Sequence, residues 1–317
     1  MKNFNTTNLI NDLTLDRNLK EDLHNKILAG NFKFDKDILD FILVYISKLE
    51  HRVSKIVFNE LSLKTGLAYD ELMSRCEWLH EMDLEGVQLS KNHKELYEIF
   101  DSLNILFQEN NIEHYYTSGI LSFLLVGQEL ERYHHDIDVF VNETDLEKLE
   151  AVSQIYGFSF YRKLGDRKNG TKRIMLKMQF KEIDIPITVF MYEREKDNSI
   201  TQKDYYYDLN GNLMVELIYN NELSAKLSFN DEIKYFHNIP YKAISLEALY
   251  LCKKGGRPKD EYDCAVFKDY VNEKNLNDLI VAVKSNKPSE NVLLKDKTKI
   301  DFLTKSNDKG LYYGNWL

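Results

Sequence analysis

The stretch that decides the fold is residues 115–141, YYTSGILSFLLVGQELERYHHDIDVFV. Near its end, Asp136 and Asp138 flank one apolar residue in a run that predicts a β-strand. Because alternate residues of a strand face the same side, the two carboxylates share one face. At a separation of roughly 5 Å and an effective dielectric near 20, they repel each other by on the order of 3 kcal/mol. The pattern therefore favours a protonated carboxyl or a bound cation. The opposite, core-facing side is expected to carry Ile137, Val139 and Val141.

Two further features accompany this acid pair. Upstream, Ser118-Gly119 lies at a predicted strand-to-helix turn, a geometry in which backbone N–H groups can face a phosphate. Downstream, Asp184 stands among apolar residues in the run 183–190, which predicts a second strand. A strand acid of this kind is, on its own, more often solvent-facing. With the pair upstream, the favoured interpretation is a metal ion shared by all three carboxylates.

Composition narrows the classes of protein. The chain has 317 residues, enough for two domains, and is 43% hydrophobic and 29% charged, as globular proteins are. No apolar run approaches the roughly 20 residues of a membrane span, and residues 1–30 lack the apolar core of a signal peptide. The net charge of −9 disfavours a broad nucleic-acid surface. The three cysteines show no disulfide or metal-type spacing. We expect a cytoplasmic protein that does not bind membranes.

The N-terminal region, residues 1–92, is predicted to be a helical domain. Two helices around Gly66, followed by a short strand after Gly86, have the outline of a winged helix-turn-helix. The second helix and the residue after it, Asp83, carry five acids against Arg75 alone, and DNA phosphates would repel them. DNA binding is therefore disfavoured, and a docking module or a homodimer contact is the preferred interpretation. The expected helices are 37–49, 55–64 and 69–82.

Residues 93–243 are predicted to form an α+β core, a mixed β-sheet flanked by helices. A C-terminal helical region, residues 244–317, follows, with Ser245 as a helix N-cap and a polar tail from Lys284. The turn signal Asn210-Gly211 predicts a hairpin. The core is expected to contain strands at 112–116, 136–141, 174–180 and 183–190, and helices at 119–130 and 144–156.

Taken together, these residues resemble nucleotidyltransferases of the DNA polymerase β-like superfamily. The family pattern is a small-residue doublet opening a helix, an acid-x-acid strand and a third acid on a neighbouring strand. It is matched here by Ser118-Gly119, Asp136-Ile137-Asp138 and Asp184. The doublet departs from the commoner Gly-Gly or Gly-Ser, and the first 90 or so residues lie outside the family pattern.

Within the superfamily, the sequence is most similar to antibiotic nucleotidyltransferases of the lincosamide and aminoglycoside type. Their Arg-x-His-x-Asp-x-Asp run is matched by Arg132, His134, Asp136 and Asp138. A second match, Lys253 followed by GRPKDEYD at 256–263, is similar also to nucleotidyltransferase toxins of abortive-infection systems. The resemblance covers roughly residues 95–270.

The resemblance implies Mg²⁺-dependent transfer of a nucleoside monophosphate from an NTP, with ATP expected, to a hydroxyl group. Asp136 and Asp138 would hold two Mg²⁺ ions, while Asp184 would complete one site and act as general base. The backbone N–H groups of Ser118 and Gly119 would hold phosphates. Further nucleotide contacts are expected from Arg132, His134, Lys253, Arg257 and Lys259.

Three hypotheses about function remain open at this point. The first is modification of a small-molecule hydroxyl, such as one on a lincosamide or an aminoglycoside. The second is the same chemistry on tRNA or protein, as in toxins, and the third is a non-catalytic nucleotide-sensing regulator using the helix-turn-helix. The second would need a basic face, for which the sequence offers Arg162, Lys163, Arg167, Lys168, Lys172 and Arg173.

Overall fold

The computed structural model describes residues 6–30, 35–49, 51–82, 86–167, 169–194, 200–221, 228–285 and 291–305. The chain divides into two compact units. One consists of residues 1–88 with 255–262, and the other of residues 89–254 with 263–317. Among the described residues, no helix is both long and apolar enough to cross a membrane.

The first unit is helical, as predicted. Its helices are α1 (Thr6–Asp12), α2 (Arg17–Ala29), α3 (Asp35–Ser47), α4 (His51–Thr65) and α5 (Tyr69–Met82). Asp16 caps α2 by accepting a hydrogen bond from the Leu19 N–H at 2.9 Å. Apolar residues at helical spacing face inward and form one core, in which each fully buried aliphatic side chain contributes about 1.5–3 kcal/mol. This core includes Leu13, Leu23, Ile42, Leu43, Ile46, Leu61 and Leu72.

The wing predicted after Gly86 is wrong, and with it the winged-helix description. Residues 86–90 open a long helix, α6 (Gly86–Glu109), instead of a strand. The apparent strand signal was only a few alternating residues long, whereas the helical spacing of Leu96, Ile99 and Leu103 continues over several turns. The helix-turn-helix outline itself forms, and Gly66 adopts a positive φ of 73° between α4 and α5.

The second unit contains the sheet. After α6 come β1 (His114–Thr117), α7 (Leu121–Leu124), β2 (Ile137–Asn142) and α8 (Leu146–Ser153). Strands β3 (Phe158–Asp166), β4 (Lys172–Phe180), β5 (Pro186–Arg194), β6 (Ile200–Tyr207), β7 (Leu213–Asn221), β8 (Phe229–Phe236) and β9 (Ile239–Ile244) follow. The chain ends with α9 (Leu246–Lys253), α10 (Pro258–Phe267), α11 (Glu273–Ser285), β10 (Val292–Leu293) and α12 (Lys297–Thr304).

These strands form one ten-stranded mixed sheet in the order β10-β7-β6-β4-β5-β2-β1-β9-β8, with β3 paired to β4. Only two of the pairings among the described strands are parallel, β2 with β5 and β1 with β9. Long α6 packs on one face, where the Phe100 and Tyr116 rings lie 4.7 Å apart. The predicted fold class, an α+β mixed sheet flanked by helices, is confirmed. The core face of β2 is fully buried, as predicted, and consists of Ile137, Val139 and Val141.

Local predictions within this unit had mixed outcomes. The turn at Gly211 and the N-cap at Ser245, whose hydroxyl accepts from the Ala248 N–H, are confirmed. The predicted helix 119–130 is wrong in length, since α7 has four residues and Gly127 turns with a φ of 71°. The predicted basic loop 162–173 lies largely in β3 and β4. The helix at 144–156 starts after Asn142, whose side chain accepts from the Thr144 N–H.

Two predictions near strand ends also need correction. Asp184 precedes β5, which begins at Pro186, so it is not a strand residue. The apolar alternation around it predicts a strand from residue 183, whereas residues 181–185 form a turn and the short segment that follows it. The polar tail predicted from Lys284 contains helix α12, capped by Asp296 through a bond from the Lys299 N–H.

Candidate functional site

The acid pair lies where β2 begins. Asp138 is in the strand, opposite Thr117 of β1 and Thr188 of β5. Asp136 is exposed and stands one residue before the strand. Since Ile137, between them, is fully buried, the strand alternation turns Asp138 away from the core, as the sequence predicts. The second acid is therefore fixed by the sheet, while the first is free to reach solvent.

The electrostatics of Asp138 are those of a carboxyl group that needs a cation. Burial, and then the charge of Asp136, raise the pKa of Asp138 to about 6. Hydrogen bonds from Ser118 and Thr188, together with the charge of Lys177, act in the opposite direction but do not cancel the rise. The carboxylate form is thus held in the site at a free-energy cost, which a bound cation would remove.

A polar row crosses three strands at this point. Asp138 of β2 is in register with Thr188 of β5, which is in register with Lys177 of β4. The Lys177 ammonium donates to the Thr188 hydroxyl at 2.5 Å, and that hydroxyl bonds Asp138 in turn. Burial lowers the pKa of Lys177, although both acids oppose the effect. A cation therefore faces the pair from the strand beyond Thr188.

A cavity of about 220 Å³ opens over this row. Its lining includes the acids Asp136, Asp138 and Asp204 and the cations Arg173, Lys177 and Lys203. Arg173 is bound to Asp204 at 2.7 Å. A pocket with charges of both signs suits a ligand that carries an anion and its counterion together.

Asp184, the predicted third carboxylate, is not brought to the pair. It is exposed, and it precedes by four residues Thr188, the residue that does face Asp138. Among the described residues, no three Asp, Glu, His or Cys side chains lie close enough together to hold a metal ion. Asp204 lines the same cavity, but its carboxylate is bound to Arg173.

The donor set therefore fits one divalent ion. Two carboxylates are a common protein contribution to a Mg²⁺ site, the remaining ligands being water and phosphate oxygens. A two-ion site, as predicted from the sequence, requires a further carboxylate, and at the corresponding strand position this chain has Thr188 with Lys177 behind it. The residues present do not fit a second ion.

The turn before α7 contacts the acid pair through Ser118. Ser118 has a φ of 70°, a left-handed conformation that costs a non-glycine residue about 1–2 kcal/mol. Its hydroxyl bonds Asp138. At Gly119, a Cβ atom would lie 3.0 Å from both Arg132 Nη2 and His134 Nδ1, so glycine lets these side chains approach the backbone.

Beneath the turn lies a buried ionic cluster. Arg132 donates to both oxygens of Asp263 through Nε and Nη2, each at 2.7 Å. Lys253 donates to Asp263 Oδ2 at 2.7 Å. The relative exposures are 4% for Arg132, 4% for Lys253 and 0% for Asp263, so these charges are removed from water together. Two of the four Arg and Lys residues predicted to contact nucleotide, Arg132 and Lys253, are thus brought together by one carboxylate.

His134 is buried in the same region. Its main-chain N–H and C=O are both bonded to the Asn92 side chain, at 3.0 and 2.9 Å. Its ring meets Phe123 edge-on, with centroids 5.8 Å apart. His93 Nε2 lies 2.8 Å from the Arg132 carbonyl oxygen. The sequence predicts a nucleotide contact for His134, whereas the contacts described here hold the loop before β2 in place.

Arg257 and Lys259 belong to the helical unit. Arg257 Nε donates to Asp260 at 2.9 Å, and Lys259 lies in the first turn of α10. Trp78 of α5 packs on Tyr262 at 5.2 Å, which ties this segment to the N-terminal helices.

Sequence reasoning missed Lys177, Thr188 and Asp204. Each sits on a strand face that is only partly apolar, and nothing in its own segment marks it as special. The missing signal is the register between β2, β5 and β4, which joins residues tens of positions apart. The acid pattern predicts Asp184 as the partner of Asp138, whereas strand pairing places a threonine, Thr188, opposite it.

No family model and no curated protein matches the sequence. The structure is similar to that of the lincosamide antibiotic adenylyltransferase LnuA with lincomycin bound, at 20% identity and a TM-score of 0.37, covering 56% of this chain and 97% of that one. It is also similar to ANT(2'')-Ia in complex with adenylyl-2''-tobramycin, at 14% identity and a TM-score of 0.39, covering 61% and 98%. At these values the likeness says nothing about chemistry, for which the side chains of the site are the evidence.

Proposed function

We propose that this chain is a nucleotidyltransferase that moves a nucleoside monophosphate from an NTP, with ATP expected, to a hydroxyl group of a small molecule. The observation that carries the proposal is the environment of Asp138. Its pKa is raised to about 6 by burial and by Asp136, and it lies in a cavity with three cationic side chains. A carboxylate held unfavourably beside a second one, in a pocket lined by cations, is the arrangement of a metal-assisted phosphoryl site.

In this proposal Asp136 and Asp138 hold one Mg²⁺ ion. When bound, the ion neutralises charge on the phosphate oxygens of the reacting group. The Lys177 ammonium supplies a second positive charge from the far side of Thr188, in place of a second ion. Its hydrogen bond to Thr188 fixes its distance from the pair.

The remaining phosphate contacts are assigned to groups around the cavity. Arg173 and Lys203 line it, each paired with a carboxylate, and a triphosphate tail would replace those partners, Asp204 and Glu193. The backbone at Ser118 and Gly119 lies beside Asp138 and offers N–H groups to the phosphates. Arg132 and Lys253 support that turn through Asp263, and their role is to position it.

A small-molecule acceptor is favoured over RNA because the basic stretch of β3 and β4 is neutralised. Arg162 is buried and makes two bonds of 2.9 Å to Glu150. Arg167 pairs with Glu216, Lys172 with Asp166 and Arg173 with Asp204. Lys168 lies outside the described residues, and Lys163 has interactions of its own. Such pairs leave little net charge to attract a polyanion.

The test is transfer of label from each α-labelled NTP, with Mg²⁺, to a panel of hydroxyl compounds that includes lincosamides, aminoglycosides and tRNA. We expect label on a small molecule and none on tRNA. Asp138→Asn should reduce transfer by roughly a hundredfold or more, the scale of removing one preorganised electrostatic contact.

Asp184→Asn is the matched control, because it removes the same charge from an exposed position away from the cavity. It should retain transfer close to that of the wild type. If both variants lose activity equally, Asp184 belongs to the site as the sequence predicts, and its exclusion from the site is wrong. Label on tRNA alone would remove the small-molecule acceptor from the proposal.

A further inference from the structure

A second cavity, of about 230 Å³, lies in the same unit and has a different character. Phe140, Tyr192 and Phe229 form its aromatic wall, and the Tyr192 and Phe229 rings lie 4.9 Å apart. Among its described lining residues there is no charged side chain. Its lining residues with polar side-chain groups are Thr117, Gln202, Ser228, Tyr192 through its hydroxyl and Cys252 through its thiol.

This apolar cavity adjoins the acid pair. Phe140 follows Asp138 by two residues on β2 and so shares its face of the sheet. Thr117 is the register partner of Asp138 on β1. Gln202 of β6 lines both cavities. A molecule seated in the apolar cavity would therefore lie next to the carboxylates.

The lining decides which group fits. A cavity of about 150 Å³ lined by apolar side chains stays dry and binds benzene, so this one has room for one or two rings. A charged group would be desolvated there without a counterion. A purine base carries several polar ring and exocyclic atoms, more than the few polar side chains around this largely apolar wall satisfy well.

We propose that this cavity binds the uncharged, apolar ring portion of the acceptor, with the acceptor hydroxyl directed toward Asp136 and Asp138. The inference rests on the proposed nucleotidyl transfer and narrows its substrate class. The acceptor is a hydroxyl compound with an apolar ring, and a polycationic sugar does not fit. The nucleotide then occupies the charged cavity on the other side of Gln202.

The chain carries its own reporter for this cavity. Cys252 lines it and is the exposed thiol, whereas Cys76 and Cys264 are buried. Surrounding protein atoms raise the pKa of the Cys252 thiol, so labelling is done at alkaline pH, where the reactive thiolate is present. A ligand in the cavity covers the thiol and slows its reaction.

The experiment measures the labelling rate of the full chain with a disulfide reagent. The probes are benzyl alcohol, benzylammonium, which differs mainly in charge, and adenosine. At roughly ten times its Kd, benzyl alcohol should slow the Cys252 reaction about tenfold, while the other two leave the rate unchanged. Cys252→Ser should abolish the fast reaction and so assign the signal.

Two variants complete the test. Ala248→Phe, which places a ring into the cavity from α9, should remove protection by benzyl alcohol. Its folding is checked by thermal unfolding, and the wild-type result stands independently if it fails to fold. Asp138→Asn should keep full protection although it loses transfer.

The outcomes separate the two proposals. If benzyl alcohol protects Cys252 in a wild type that transfers no label to any acceptor, the cavity binds an uncharged ring, and the proposed nucleotidyl transfer is overturned. If label is transferred but benzyl alcohol does not protect Cys252, the assignment of the cavity to the acceptor ring is overturned and the proposed nucleotidyl transfer is retained. Protection by adenosine or by benzylammonium also overturns the assignment to an uncharged acceptor ring.

Discussion

Two aspartates in the same unit sit in opposite electrostatic circumstances. Asp263 has no solvent exposure, yet it is bonded to Arg132 and Lys253 by three contacts of 2.7 Å. Asp138 is less deeply buried, and burial together with the charge of Asp136 raises its pKa to about 6. Asp263 is bonded directly to two cations, whereas the bonds that Asp138 accepts come from the neutral hydroxyls of Ser118 and Thr188.

The difference separates a structural charge from a functional one. A satisfied buried cluster holds the Ser118–Gly119 turn and the loop before β2 in place, and it gains nothing from a ligand. A carboxylate that lies beside a second carboxylate in an open cavity is stabilised by a ligand that brings positive charge. Both motif matches found in the sequence are thus involved, one as support and the other as the site.

The largest expected effect is on the structural cluster. Asp263→Asn leaves two buried cations with no carboxylate, which should lower the free energy of unfolding by about 3–5 kcal/mol. Urea unfolding of the full chain measures it, with Asp184→Asn, expected within about 0.5 kcal/mol of wild type, as the control. An unchanged midpoint for Asp263→Asn would mean that the cluster does not hold the fold.

Asp138→Asn should raise the free energy of unfolding, whereas Asp263→Asn lowers it. Since the folded pKa of about 6 lies above the unfolded value of 3.8, the folded state keeps the proton between them. The contribution of Asp138 to wild-type stability without metal is therefore greatest below about pH 4 and decreases as pH rises through 6, by up to about 3 kcal/mol. The variant should lack this decrease, so its advantage grows with pH. Unfolding curves across this window measure it, and parallel curves would contradict the assigned pKa.

Thr188→Asp tests the number of ions. It places a third carboxylate in register with Asp138 and next to Lys177. We expect the stoichiometry of Mn²⁺ binding, followed by electron paramagnetic resonance, to rise from one ion per chain to two in the presence of a nonhydrolysable NTP. Thr188→Val, similar in shape, is the control and should stay at one. Two ions on the wild type would contradict the role given to Lys177.

The smallest effect is expected at the turn. Ser118→Gly should relieve the strain of the positive φ, whereas Ser118→Ala retains it, so the two should differ in stability by about 1 kcal/mol. Both lose the hydroxyl that bonds Asp138, and both should raise the pKa of that carboxyl above about 6. Carboxyl titration followed by NMR measures the shift. A shift in only one of them would point to backbone movement instead.

Much of this architecture follows from local pattern. Period-two alternation in 137–141 and helical spacing in 38–46 depend on neighbouring residues, and the structure confirms both. The acid pair could be predicted for the same reason. Thr188 and Lys177 could not, because their place beside Asp138 is set by strand register across the sheet. The alternation within one strand predicts which of its residues share a face, but not which residue of another strand will lie opposite them.

The link between Arg132 and Asp263 spans 131 positions and has a consequence for the chain while it is being synthesised. Both acids of the site emerge from the ribosome early, followed much later by the carboxylate that anchors the loop before them. A polypeptide terminated ahead of Asp263 would carry the Asp136–Asp138 pair on an unanchored loop, with Arg132 and Lys253 lacking their shared acid. Such fragments should be inactive and readily degraded, so that completion of the site reports completion of the chain through Asp263.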